Sequence, residues 1–175
     1  MIEIKTAAYR RVSFALALGS FLVFCNLYMF QPMLPLMAEK FNASAIEINW
    51  LLAASTLTRA LTLVPWAIGS EIIGRRNVMM LSLFLLPFTG MAMLLTDSLL
   101  MLTLARGVMG ISLAGFTAVA VAYMAEEFSS KALMVAVGAY ISANSLGGIT
   151  GRLYGGFATE YLGCFFKQKT AYEIS

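Results

Sequence analysis

Five apolar stretches, each close to the length of a membrane-crossing helix, make up most of the sequence and are joined by short charged segments. A helix needs about 20 mainly apolar residues to cross the hydrocarbon core of a bilayer. The stretches predict helices over residues 13–37, 49–69, 77–95, 99–123 and 132–158. Only 12% of the residues are charged, whereas soluble domains average about 25%. We therefore predict an all-α polytopic membrane protein, with the lipid bilayer as its first partner.

The lysines and arginines predict how these helices are oriented, because cytoplasmic loops collect them. With residues 1–12 in the cytoplasm, the inner side holds most of them, and the outer loops before residue 163 hold only Lys40. The inner residues are Lys5, Arg10, Arg11, Arg75, Arg76 and Lys131. We predict a multi-pass protein of the cell (plasma or bacterial inner) membrane with a cytoplasmic N-terminus.

Residues that carry enzyme chemistry are scarce. The chain has no histidine, so a histidine base and the common metal-ligand clusters are missing. It also lacks a glycine-rich phosphate loop and has no basic runs with interleaved aromatic residues. We predict that the protein is not an enzyme, binds no metal or cofactor and does not bind nucleic acid.

The segment "AIGSEIIGRRNVMM" between the second and third predicted helices resembles the G-x-x-x-D-R-x-G-R-R/K signature of the major facilitator superfamily. Glu71, Gly74, Arg75 and Arg76 fall on the acid, the second glycine and the basic pair. Ala67 and Ile72 depart from the pattern. The resemblance implies a cytoplasmic loop that latches one conformation of a transport cycle. A loop that is merely basic remains the alternative.

Two further segments resemble the same family. "LARGVMGISLAG" is similar to the R-x-x-Q-G pattern of the fourth helix, with Arg106 and Gly110 in place and Met109 at the glutamine. "GAYISANSLGGITGRLYGG" resembles the antiporter signature G-x8-G-x3-G-P-x2-G-G of the fifth helix, and is similar to acriflavine-resistance-type transport proteins of bacteria. The matching residues are Gly138, Gly147, Gly151, Gly155 and Gly156, with Arg152 in place of the proline. Small residues four apart form one helix face, which predicts close packing against a neighbouring helix.

The resemblance covers about residues 10–163 and implies a fold and a function. The fold is an incomplete N-terminal half of a major facilitator protein, its partner being the missing C-terminal half. The implied function is secondary active transport, proton-coupled export of small molecules by alternating access. A membrane scaffold or assembly subunit without transport, and an inactive gene fragment, are the alternatives.

Three arginines, Arg59, Arg106 and Arg152, lie inside predicted helices that hold no deep acidic residue. Charges within the membrane face a bundle interior or wet cavity and mark substrate or ion paths. We predict a substrate or coupling cavity lined by these arginines, with Asn26 and Gln31 adding hydrogen-bonding groups. Arg152 could instead extend to the interface, and the two amides could serve as caps or helix contacts. The cavity either receives an anionic substrate or meets counter-charges in the missing half.

Residues 164–175 do not fit the rest of the chain. The segment is polar, predicts no spanning helix and would place lysines outside, against the charge rule. "FFKQKTAYEI" resembles translated sequencing adapter. We predict a non-native tail, with a short native extracytoplasmic tail as the alternative.

Overall fold

The computed structural model describes residues 2–4, 6–94, 96 and 98–173, with the side chains of all of these except residues 94 and 162–173. Lys5, one of the predicted cytoplasmic residues, lies outside the described residues.

The described part of the chain is helical almost throughout. The helices are α1 (Ala7–Met29), α2 (Leu34–Phe41), α3 (Ala45–Ile73), α4 (Arg75–Leu94), α5 (Leu99–Glu127) and α6 (Ser130–Glu173). A 3-10 helix, Gln31–Met33, joins α1 to α2. Counted over the described residues, five segments are long and apolar enough to cross a membrane, the first of them being α1 together with α2. The predicted fold class is confirmed.

The helix ends differ from the predicted ones for identifiable local reasons. Helix α1 starts before residue 13 because the Thr6 side chain accepts a hydrogen bond from the Tyr9 amide at 3.1 Å, which caps a helix beginning at Ala7. Within the first spanning segment the backbone tightens into the 3-10 helix at Pro32, which has no amide donor, and α2 then continues to Phe41. Ser44 and Glu47 form a reciprocal capping box that fixes the start of α3.

Helix α6 also continues beyond its predicted end. Its backbone remains helical to Glu173, past residue 158 and through most of the predicted tail. The segment after Gly163 contains neither glycine nor proline, and Ala, Lys, Gln and Glu are good helix formers. The prediction concerned a spanning helix, and the fifth segment of spanning length ends at Tyr161, before this tail. Whether the tail is native stays a prediction.

Helices α1 and α6 run parallel and in close contact. A β-carbon added to Gly147, Gly151 or Gly155 would collide with the carbonyl oxygens of Phe21, Cys25 and Met29, respectively. Both series advance by four residues in the same direction, so the helices run side by side. The predicted packing of this glycine face is confirmed at these three positions.

Helices α3 and α5 form a second parallel pair, and α5 also packs on α4. Thr58 donates its hydroxyl to the Gly107 carbonyl at 2.8 Å. Further along both helices, Trp66 Nε1 donates to the Ile111 carbonyl at 2.9 Å. Helix α5 supplies many of the buried residues, including Phe116, whose ring lies against Gly19 of α1. The core of the bundle therefore follows α5.

Three segments meet at one end of the bundle. The Ile2 amide donates to the Glu127 carbonyl at 2.6 Å, and the Ser129 amide donates to the Ile2 carbonyl at 3.1 Å. The Tyr9 and Phe128 rings pack at a centroid distance of 5.4 Å. We call the end marked by Ile2 and Phe128 the N-terminal end. It brings together segments that the charge pattern assigns to one side of the membrane.

Candidate functional site

Arg106 on α5 is a fully enclosed charge. Its exposed fraction is 0%, and its guanidinium carbon lies 4.4 Å from the centroid of the Phe30 ring. Nη2 donates to Ser55 Oγ at 3.2 Å, and Nη1 contacts Met109 Sδ at 3.2 Å. Nε is buried and has no hydrogen-bond partner among the described residues. A cation held only by neutral groups in this setting is costly, and its ring contact offsets part of that cost, by about 2 kcal/mol.

Arg152 lies on α6, next to the 3-10 helix. Its Nε donates to Gln31 Oε1 at 3.0 Å, and its guanidinium carbon stands 4.6 Å from the Tyr28 ring centroid. The side chain is exposed. The contacts with Gln31 and Tyr28 hold the guanidinium against the α1 side of the bundle, so the arginine is fixed at one place rather than only reaching for the interface.

Arg59 on α3 is half-buried, with its guanidinium carbon 5.2 Å from the centroid of the Phe24 ring. Asn26 is also half-buried, and its Oδ1 is enclosed with no hydrogen-bond partner in the described part of the chain. An unsatisfied buried acceptor is unfavourable, and more so in lipid than in water. The Asn26 Oδ1 atom could therefore accept a hydrogen bond from a donor outside the described residues.

The three arginines share one feature that their sequence positions do not reveal. Each lies over a ring contributed by a short segment at the end of α1 and just after it. The pairs are Arg59 with Phe24, Arg152 with Tyr28, and Arg106 with Phe30. We call these six residues the arginine–aromatic cluster. Within the described residues none of the three arginines forms an ion pair.

The five predicted cavity residues lie in different local surroundings. A cavity of about 340 Å³ lies between α1 and α6, and Arg152 is the one predicted residue in its lining. Phe24, Tyr28 and Asn144 also line it. Arg59 lies over Phe24, which lines this cavity. Arg106 is instead enclosed among Ser55 of α3, Met109 of α5 and Phe30 just after α1. Each of the three cations has its own aromatic partner. A shared cavity for the five residues stays a prediction.

The signature after α3 contains a sharp turn at Gly74 and an ion pair to another helix. Gly74 has a φ of +96°, a conformation that favours glycine. Arg75 pairs with Glu126 at the end of α5, with Nε and Nη2 at 2.6 and 2.5 Å from the two carboxylate oxygens. Glu71 is exposed and makes no hydrogen bond to any described residue. The carboxylate that pairs with Arg75 therefore belongs to Glu126 of α5 and not to Glu71 of the signature.

The antiporter-like glycines divide into two groups. Gly147, Gly151 and Gly155 contact α1, as described above, and Gly148 lies against the Tyr28 ring. Gly138 and Gly156 would have open space around an added β-carbon. The close approach of α6 therefore depends on the central stripe of the signature.

Sequence reasoning missed the partners of the predicted charges. Phe24 and Tyr28 stand four apart and therefore share a helix face, a signal that could have marked them as ring partners. Glu126 lies in "AEEF" at the end of an apolar stretch, where an acid is otherwise unremarkable. Asn144, whose Oδ1 is buried without a described partner, lies inside the glycine signature but outside its defining positions.

Comparison with known proteins places these features in context. The sequence profile of the Major Facilitator Superfamily matches residues 16–168. An uncharacterized transporter of Buchnera aphidicola (subsp. Acyrthosiphon pisum, strain APS) is 34% identical over 91% of this chain and 39% of its own length. Inner membrane transport protein YnfM of Escherichia coli (strain K12) is 31% identical over 94% of this chain and 42% of its own length. Multidrug resistance protein Stp of Mycobacterium tuberculosis (strain CDC 1551 / Oshkosh) is 26% identical over 85% and 28%, respectively.

Proposed function

Because the chain belongs to the major facilitator superfamily, we propose that it is the amino-terminal part of a secondary active transporter that exports small molecules in exchange for protons. The chain spans about 40% of the length of its first relatives, so this proposal concerns the protein formed together with a carboxy-terminal half. Relatives named as an inner membrane transport protein and a multidrug resistance protein support export across the cell membrane. Alternating access of the two halves is the proposed mechanism.

The enclosed Arg106 is the observation that carries this proposal. A scaffold gains nothing from a charge with an exposed fraction of 0% and an unpartnered Nε. In transporters, intramembrane charges of this kind bind a substrate or respond to a coupling ion. Ser55 and Phe30 orient the guanidinium, and a proton or an anion arriving nearby would change its electrostatic balance. We assign Arg106 the role of a substrate or coupling residue.

The arginine–aromatic cluster further supports a substrate with negative charge. Its three cations have no ion-pair partner among the described residues, and Arg152 lines an open cavity with Asn144. A carboxylate or another anion would satisfy such a site. Acidic residues on the carboxy-terminal half would pair with these arginines equally well. The proposal therefore includes both an anionic substrate and acidic partners on that half.

The test is transport by the full-length gene product that contains this sequence, measured in everted membrane vesicles. Arg106→Ala should abolish substrate-driven proton movement while membrane insertion survives. Arg106→Lys keeps the charge but loses the planar guanidinium, so transport should fall sharply. Arg10→Ala is the matched control, since Arg10 is exposed at the start of α1. Wild-type transport by the Arg106→Ala variant would make Arg106 structural.

The same vesicles separate the proposal from its alternatives. A scaffold or an inactive fragment predicts that even the wild-type gene product moves no substrate and no protons. The cytoplasmic N-terminus is tested with reporter domains fused after Asp97, which is outside the described residues, and after Lys131. The two reporters should lie on opposite sides of the membrane, with Lys131 inside.

A further inference from the structure

A second cavity lies at the N-terminal end of the bundle, away from the arginine–aromatic cluster. It has a volume of about 390 Å³ and opens between α1 and α4, with α5 behind it. Arg11 from the second turn of α1 and Arg76 from the first turn of α4 both line it. Two separate helices therefore direct cations to the same cavity.

The inner wall of this cavity is apolar. Leu16, Met79, Leu83 and Phe116 line it. The Phe116 ring lies directly against Gly19, so the inner end is closed by close packing between α5 and α1. From Arg76 to Leu83 the cavity follows α4 for about 10 Å, at the ordinary rise of a helix. The cavity therefore has two arginines at its opening and apolar side chains along its interior.

The two arginines at the mouth are available to a ligand. Neither guanidinium forms an ion pair or a hydrogen bond with any residue that the structure describes. The nearby acid Glu126 is already held by Arg75 through both carboxylate oxygens. No acidic residue lines this cavity. The charge at its mouth is therefore positive and uncompensated.

We propose that this cavity binds an anionic phospholipid from the leaflet at the N-terminal end. The phosphate lies between Arg11 and Arg76, and the first part of one acyl chain enters the cavity along Met79 and Leu83. Met80 lines the cavity and is 58% exposed, so an apolar side chain lies at the outer surface of the opening, as expected for one that faces lipid. Basic sites between helices on the cytoplasmic side suit anionic lipid headgroups. A free phosphate would use the arginines but not the apolar interior, so the lipid matches both parts of the site.

The test titrates the 175-residue chain, purified in a neutral detergent, with phosphatidylglycerol and with phosphatidylcholine of the same acyl chains, and counts bound lipid by native mass spectrometry. One phosphatidylglycerol should bind in preference to phosphatidylcholine. Arg11→Gln and Arg76→Gln should each weaken phosphatidylglycerol binding about fivefold, since one cation near an anionic headgroup contributes about 1 kcal/mol. Arg76→Lys keeps the charge and should retain most of the preference.

Two controls separate this site from general surface charge and from a free-anion site. Arg10→Gln removes a cation from the adjacent position of α1 but not from this cavity, and should change binding less than twofold. Leu83→Trp leaves both arginines and fills the interior, so it should reduce phosphatidylglycerol binding while helicity, followed by circular dichroism, is kept. Equal affinity for the two lipids, an equal loss in the Arg10→Gln variant, or full displacement by millimolar inorganic phosphate would each overturn the proposal.

Discussion

Helices α1 and α6 meet through a stripe of three glycines set against backbone carbonyls, whereas α3 and α5, which also run parallel, combine one such glycine, Gly110 against the Ser55 carbonyl, with side-chain hydrogen bonds. In the first pair, Gly147, Gly151 and Gly155 leave no space for a further carbon. In the second pair, Thr58 and Trp66 each donate to a carbonyl of α5. Both are means of holding helices together in lipid, where water supplies no hydrophobic driving force. The first contact depends on shape along the whole stripe, and the second on shape at Gly110 and on two hydrogen bonds. Loss of one hydrogen bond should therefore affect the second pair much less than a bulky residue in the stripe affects the first.

The largest effect is expected at the glycine contact. Gly151→Leu would drive its side chain into the Cys25 carbonyl, which belongs to a helix backbone and cannot move aside. We expect loss of the folded bundle, measured as loss of a monodisperse peak in size-exclusion chromatography after detergent extraction. Gly156→Leu is the matched control, because nothing lies within 4 Å of a β-carbon at that position. Equal behaviour of the two variants would contradict the shape argument.

A moderate effect is expected at the hydrogen-bonded pair. Thr58→Val keeps the shape of the side chain and removes the bond to Gly107. Hydrogen bonds between membrane helices contribute about 0.6 kcal/mol on average and up to about 1.7. The free energy of unfolding, followed in a denaturing-detergent titration, should fall by an amount in this range. A loss as severe as that of Gly151→Leu would show that this hydrogen bond, rather than the close approach at Gly110, holds the α3–α5 contact.

The smallest effect is expected at the N-terminal end. Glu126→Gln breaks the pair with Arg75, but the carboxylate side chain is 57% exposed and water can replace the contact. In the same titration we expect no measurable change in the free energy of unfolding. Addition of salt to the wild-type chain should likewise have little effect. A clear destabilisation would mean that this end, rather than either helix pair, limits stability.

The spanning segments and the glycine stripe could be predicted because each is a repeating pattern within one stretch of chain. The length of an apolar run predicts a spanning helix, and glycines four apart predict one helix face. Neither prediction requires knowing which helices pack together. The positions of Arg59, Arg106 and Arg152 were clear for the same reason.

What each charge contacts was not predictable, because it depends on which helices become adjacent. Nothing near Arg75 in the sequence indicates Glu126, and nothing near Arg106 indicates Phe30. The interruption after Met29 was partly visible from Pro32. The 3-10 geometry, which brings Gln31 to Arg152, required the packed structure. The roles assigned to these residues in transport remain predictions.

The pairing of α1 with α6 has a consequence for the order in which the protein is assembled during synthesis. Thr58 and Gly107 are 49 residues apart, whereas Gln31 and Arg152 are 121 residues apart. At a translation rate of roughly 5–20 residues per second, the first contact becomes available about 2–10 s after its earlier half is made, and the second after about 6–24 s. Of these two pairs, α1 with α6 is therefore the later to form, although α1 precedes the other described helices in the chain. Throughout that interval, the surface of α1 that later receives Gly147, Gly151 and Gly155 is covered only by lipid or by the insertion machinery.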